Sequence, residues 1–284
     1  DWGWADAYQR HGQRYYPKLL TAIPFTPSQS PRILVEEGES VQHWLALIKQ
    51  AVLQYADQIE ASSWHVLFPD SQSADALQKT DMIRREACQF HWRNKAYGSF
   101  DDFLATFSSR KRKTLRKERA DVLAQGIRFQ CLEGDMISEE VWDIFYRYYQ
   151  NTYQIRGQHG YLSRDFFRRI AGSMPQNLFL VMAMHEHRYV AGALFFKGAD
   201  TLFGRYWGAE QDYDKLHFET CYYQGIELAL SLGLKHFDAG AQGEHKLGRG
   251  FEPTITHSWH GILHPGFREA IQSFTHEEAE HVIS

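Results

Sequence analysis

"NLFLVMAMHEHRYVAGALFFKGADTLFGRYWGAE", Asn177 to Glu210, decides the fold. Three apolar runs, 177–186, 188–198 and 201–210, are separated by very short turns. Runs rich in aliphatic and aromatic residues joined that tightly pair as an antiparallel meander. Upstream, residues 100–126 read as one or two helices closing at Gly126, then a strand at 127–132. A helix over 138–153 follows, opened by Ser138 with acids in its first turn, and another over 163–174. Downstream, a long helix over 215–233 ends at Gly233, and a strand at 234–240 leads through a glycine-rich loop to a strand at 255–263. Before Phe100 the pattern is strand (17–25), helix (41–56, capped by Ser40), strand (63–68), short helix (74–85) and strand (88–97). The whole is α/β.

With 284 residues there is material for one large or two ordinary domains. No run of about 18 apolar residues exists, so no membrane span is encoded. A net charge of −4 means that any polyanion binding must come from a local patch. Three widely spaced cysteines, Cys88, Cys131 and Cys221, form no disulfide framework or zinc knuckle and fit a reducing compartment. The opening lacks an initiator Met and a signal segment, so the chain reads as beginning partway through a longer protein.

The element order resembles the GNAT acyltransferase fold. Four strings make the resemblance closer: "DWGWADAY" (1–8), "PFTP" (24–27), "QFHWRNKAYGSFDDFLATFSSRKRKTLRKER" (89–119) and "HFDAGAQGEHKLGRGFEPT" (236–254). On these the chain resembles the bacterial FemAB-like family of peptidoglycan biosynthesis or recognition proteins. The resemblance implies tandem GNAT-like units, a first at 1–98, incomplete at its N-terminus, and a second at 99–284. It implies transfer of an acyl group, aminoacyl above all, onto an amine, with a cell-wall precursor as acceptor. The donor would be a co-substrate, aminoacyl-tRNA or acyl-CoA, with no bound cofactor and no metal. A cytoplasmic protein, peripheral to the inner face of the membrane, fits that chemistry. The runners-up are a CoA-dependent N-acyltransferase and a non-catalytic module binding cell-wall peptides or nucleic acid.

CoA-dependent GNAT domains usually hold the pyrophosphate on a glycine-rich turn before the long helix. Here that turn is "GAEQDYDKLHF", with Glu210, Asp212 and Asp214. One like charge at ~4 Å costs about 4 kcal/mol at an effective dielectric near 20, so the turn is ill suited to a pyrophosphate. The bland reading is that Asp212 or Asp214 caps the helix.

The loop "FDAGAQGEHKLGRGFEPT" (237–254) fits neither a Walker A motif nor a dinucleotide fingerprint. By resemblance, its cation would hold a phosphate or steady a developing oxyanion. Lys246 and Arg249 both fit that position. Acylating an amine needs a base, for which Asp238, Glu244 and Glu210 are candidates. His245, Arg205, Tyr206 and Trp207 are candidate substrate contacts, although strand alternation puts Arg205 and Trp207 on one face and Tyr206 on the other. Trp2, Trp4 and Asp6 are candidate contacts in the aromatic opening. "RKRKTLRKER" (110–119) offers Arg110, Lys111, Arg112, Lys113, Arg116 and Lys117 to a tRNA backbone, a polyprenyl pyrophosphate or an anionic membrane surface. Against that, a charge run is commonly a solvated face, and Leu115 and Val122 mark this helix's core side. Trp142, Phe145, Tyr146, Tyr149 and Tyr153 follow helical spacing and read as core rather than a stacking platform.

Overall fold

The structure, a computed structural model, describes residues 2–241 and 243–283. By packing the chain divides into two units, 1–89 with 254–284, and 90–253. Sequence reading drew the line at 98/99 and gave 254–284 to the second unit. In the structure the last strand pairs with β2 of the first unit, which carries the C-terminal segment with it.

In the first unit, α1 (Trp2–Arg10) precedes β1 (Leu19–Thr21), α2 (Val41–Gln58), β2 (Ser63–Leu67), α3 (Ser71–Leu77) and the start of β3 (Ile83–Arg93). The chain returns as β9 (Glu252–Ile262) and α10 (Pro265–Ile283). The strand order is β1-β2-β9-β3, with β1 parallel and β9 antiparallel to β2. Ser40 caps α2 as expected, accepting from the His43 amide. One sheet face buries Trp64, Val66 and Trp259 with Leu45 and Leu77 of α2 and α3, and a second cluster joins Ile83 and Ile262 to Trp4, Tyr8 and Ile271. The helix expected over 74–85 stops at Leu77. There the Thr80 hydroxyl donates to the Leu77 carbonyl and accepts from the Met82 amide, turning the chain into β3.

In the second unit, α4 (Phe100–Ala105) and α5 (Ser109–Ala124) lead to β4 (Arg128–Glu133), α6 (Glu139–Gln154) and α7 (Arg164–Ser173). The meander is β5 (Leu178–His185), β6 (Arg188–Lys197) and β7 (Thr201–Ala209). The strand order is β3-β8-β7-β6-β5-β4, where β8 is His236–Asp238. β8 is parallel to β7 and antiparallel to β3, so the sheet is mixed. Serines 99, 108, 138 and 163 each cap a helix through the hydroxyl oxygen. Trp142, Phe145 and Tyr149 of α6 are buried with Phe167 of α7, as core residues. At Gly208 on β7 the α6 backbone approaches so closely that an added Cβ would lie 2.1 Å from the Tyr148 carbonyl.

The long helix expected over 215–233 is interrupted. It runs as α8 (Leu216–Phe218), a π-helical turn (Glu219–Tyr223) and α9 (Gln224–Ser231). Neither Asp212 nor Asp214 caps it. Lys215 occupies the N-cap in a left-handed conformation, with no side-chain capping bond, and its ammonium pairs with Asp121 and Asp214.

Candidate active site

Parallel strands β7 and β8 run side by side, with Leu202 opposite Phe237 and Phe203 opposite Asp238. β8 stops at Asp238 while β7 continues, and a crevice beyond the carboxyl end of a parallel strand is where α/β sheets place ligands. A cavity of about 110 Å³ opens there, with Arg205, Trp207, His217, Cys221, Tyr222 and Ala239 in its walls.

A bulge aims Arg205 into this space. The β6–β7 register pairs Leu194 with Tyr206 but Phe195 with Gly204, leaving Arg205 as the extra residue. Its guanidinium Nη2 lies 2.7 Å from Asp238 Oδ2, with both side chains almost fully buried. Nη1 donates to the Gly204 carbonyl at 2.8 Å, and Asp238 Oδ1 accepts from the Gly240 amide at 2.9 Å. His91 Nε2 of β3 is 3.8 Å from Asp238 Oδ1, and burial keeps that imidazole below its ordinary pKa despite the carboxylate.

The loop after β8 folds back on the same point. Gly240 and Gly243 take left-handed φ values of 89° and 112°, and a 3-10 turn covers Glu244–Arg249. That turn drives Lys246 inward until 1% of it is exposed. Its Nζ donates to the carbonyls of Ala239, at 3.0 Å, and Gly240, at 2.6 Å. Burial brings its pKa down to about 8, against the pull of Asp238 and with help from Arg205. Arg249 leaves the turn in another setting. It donates to Glu118 on α5 at 3.0 Å and to the His245 carbonyl at 3.0 Å, and stacks 3.7 Å over the Phe218 ring. Glu118 also accepts from the Tyr223 hydroxyl.

The remaining candidates divide between this cavity and the exposed surface. Glu244 is exposed at the start of the turn. His245 Nε2 meets the Tyr222 hydroxyl at 2.9 Å. Glu210 is exposed beyond β7, outside the cavity wall. Trp207 and Tyr206 both line the cavity; Trp207 packs edge-on against His217, and the Tyr206 ring also packs on Tyr149 and Phe167 of the α6–α7 side. Trp2, Trp4 and Asp6 belong to α1 of the first unit, and Asp1 lies outside the described residues. Trp2 and Asp6 are exposed, but Trp4 is buried against His260.

On α5, Arg110, Lys113, Arg116 and Lys117 are exposed, while Lys111 and Arg112 are half-buried. Arg116 pairs with Asp101, and Lys111 Nζ would lie 3.2 Å from a Cβ added at Gly248 of the loop. Arg119 points inward instead, grips Glu219 and Glu227 through both edges of its guanidinium, and lies 4.4 Å from the Phe100 ring centroid.

Residue reading passed over His217, Cys221 and Tyr222. The signal was faint: His217 and Cys221 are four apart at the start of the long helix and so share a face. Desolvation by the groups packed round its ring brings His217 down to about 4, although the side chain keeps solvent contact, so its imidazole is neutral at pH 7, and burial pushes the Cys221 thiol up. Among the described residues no group of three or more histidines, cysteines and carboxylates is gathered to hold a metal, and no helix is long and apolar enough to cross a membrane.

The fold recurs in solved structures. The C-terminal domain of a putative lysylphosphatidylglycerol synthetase from Agrobacterium fabrum covers 82% of this chain and 76% of its own, with a TM-score of 0.59 at 9% identity. FemX covers 88% and 85%, with a TM-score of 0.54 at 12% identity. L-PGS from Bacillus licheniformis covers 80% and 77%, with a TM-score of 0.53 at 12% identity. At such identities the likeness is one of fold. The family model for FemAB-like proteins, described as peptidoglycan biosynthesis/recognition, matches residues 1–284, and the chain belongs to that family. No curated protein matches it in sequence.

Proposed function

We propose that the protein is an aminoacyltransferase that carries an amino acid from an aminoacyl ester of tRNA to an amine of a peptidoglycan precursor. Family membership supports the transferase class and the cell-wall setting. The observation that carries the reaction is the cavity that brings Arg205, held on Asp238, together with neutral His217 beside a loop pinned by Lys246.

Arg205 is the residue that meets charge developing on the attacked carbonyl. A buried guanidinium fixed before reaction stabilises an oxyanion with little reorganisation. His217 takes the proton released as the amine nitrogen bonds to the carbonyl carbon. The C–O bond of the ester then breaks, and the leaving oxygen receives that proton. Asp238 acts as a positioning residue, since its oxygens are engaged by Arg205 and the Gly240 amide. Lys246 fixes the loop and adds positive potential. The basic face of α5 adjoins the loop through Lys111 and Gly248 and suits the phosphates of the donor. The acidic turn after β7, with Glu210, Asp212 and Asp214, disfavours a CoA pyrophosphate there.

Incubation with charged tRNA or with acyl-CoA, together with cell-wall stem peptides bearing free amines, followed by mass spectrometry, tests this reading. Transfer from tRNA, lost on Arg205→Met with Asp238→Asn, is the expected result. Transfer from CoA alone, or binding of the peptides without turnover to either donor, would overturn it.

A further inference from the structure

Gly261 lies within β9, opposite Trp64 of β2, and the ladder passes through it from Ile262 to Ser258 without a shift of register. A glycine weakens a strand interior. It usually marks a bulge, a tight bend, or the close approach of a ligand or another backbone. The unbroken register leaves no bulge against β2, and the φ of Gly261 is not left-handed. A Cβ built on it would meet the Trp64 carbonyl oxygen and Met82 Cε at 3.7 Å and Leu53 Cδ2 at 3.8 Å, all ordinary contacts. Neither conformation nor crowding therefore accounts for the missing side chain. Its absence opens a cavity of about 200 Å³, wholly within the first unit, and all three of those neighbours line it.

Lys49 and Leu53 are four apart on α2 and share a face of that helix. Trp64 enters from β2, its Nε1 donating to the Thr21 hydroxyl at 2.9 Å, which fixes the indole. Asp81 and Met82 come from the turn before β3, and Arg268 from α10. With Ile262 and Leu263 the lining is largely apolar, and an apolar cavity of about 150 Å³ is enough to take up benzene. The charged side chains in the wall are Lys49, Asp81 and Arg268. Lys49 Nζ pairs with Asp81 Oδ1, while Arg268 Nη2 reaches Asp81 Oδ2 at 3.1 Å and the Asp81 carbonyl at 2.6 Å. Two cations thus share one carboxylate. One further negative charge would balance the group, whereas an amine would add a third cation to it.

We infer that this cavity binds a small aromatic carboxylate, its ring in the space left by Gly261 and its carboxylate at Lys49 and Arg268. An indole and a thioether are favourable neighbours for an aromatic ring, and Trp64 and Met82 supply them. A planar guanidinium matches the geometry of a carboxylate. The site shares no residue with the cavity at Arg205 and does not depend on the reaction proposed there.

Calorimetry on the whole chain with phenylacetate, phenethyl alcohol and phenethylamine tests this, with the indole ¹⁵N resonance of Trp64 as a second readout. Phenylacetate is expected to bind saturably and to move that resonance. The alcohol should bind about fivefold more weakly, the scale of a partly exposed ion pair, and the amine more weakly still. Gly261→Val fills the cavity from a strand position that suits a β-branched residue, and should lower affinity by about tenfold or more. Gly261→Ala adds only a methyl that meets ordinary contacts, so it keeps the fold and should lower affinity severalfold; circular dichroism would verify both variants. Arg268→Gln should remove most of the preference for the acid over the alcohol. The inference is overturned if phenylacetate fails to bind the folded wild type, or if the alcohol or the amine binds as tightly. It is equally overturned if the folded Gly261 variants bind phenylacetate unchanged, or if Arg268→Gln keeps the full preference for the acid.

Discussion

Arg205 is where a local irregularity of a strand becomes a chemical group. Removing it alone would leave Asp238 buried without its counter-ion, which costs about 3–5 kcal/mol. The Arg205→Met, Asp238→Asn pair removes both charges and should remain folded while transfer falls by about 100-fold or more, measured as kcat in single-turnover assays. Lys246 makes a second residue-level prediction. Its folded pKa is about 8, against 10.5 for an ordinary lysine, so between those values the unfolded chain binds more protons. Stability attributable to Lys246 should therefore rise with pH across that window, by up to about 1.4 kcal/mol per unit. Urea midpoints of wild type against Lys246→Met from pH 7 to 10.5 would show it, and a constant difference would refute it. The sequence offered Lys246 and Arg249 as equals, because spacing along a glycine-rich loop does not tell which side chain turns inward. Only the 3-10 turn, set by left-handed Gly243 and Gly250, separates the buried cation from the one tied to α5. Arg205 was legible as a candidate, but the bulge that exposes it to the cavity follows from strand register, which no local pattern announces.

At the scale of elements, the packing of α6 on β7 depends on the absence of a side chain at Gly208. Gly208→Ala would force a methyl into the Tyr148 backbone and should cost about 3 kcal/mol, detectable as a lowered urea midpoint. Arg119 joins α5 to the π-helical turn and α9, and Glu219 is nearly buried beneath it. Arg119→Met should cost about 3–5 kcal/mol, and adding Glu219→Gln should restore part of the loss. Helix α6 was readable from its Ser138 cap and 3.6-residue periodicity, and the meander from its short turns; the caps at Ser99, Ser108 and Ser163 were not read. What escaped was the break in the long helix. A π-helical turn keeps the apolar pattern nearly intact while it shifts Cys221 and Tyr222 round toward the cavity. Helix α10 also escaped, although Phe267, Ile271 and Phe274 stand at the spacing of one helix face.

At the scale of the whole molecule, two buried histidines, His65 and His260, are held neutral by burial, His65 down to about 3. In the unfolded chain each protonates near 6.5. Below that pH the unfolded state takes up protons that the folded state refuses, so stability should fall as pH drops from 6.5 toward 4. Each of the two contributes up to about 1.4 kcal/mol per pH unit, and His65→Gln should flatten the decline seen in urea midpoints.

The order β1-β2-β9-β3 carries a further consequence, for synthesis. Strand β9 fills the place between β2 and β3, yet all of 90–253 is translated before most of it emerges. At ~5–20 residues per second that interval is on the order of ten to thirty seconds, during which the facing rims of β2 and β3 have no ladder partner. The first unit to leave the ribosome is thus the last to be completed, and trigger-type chaperones would find their opportunity there.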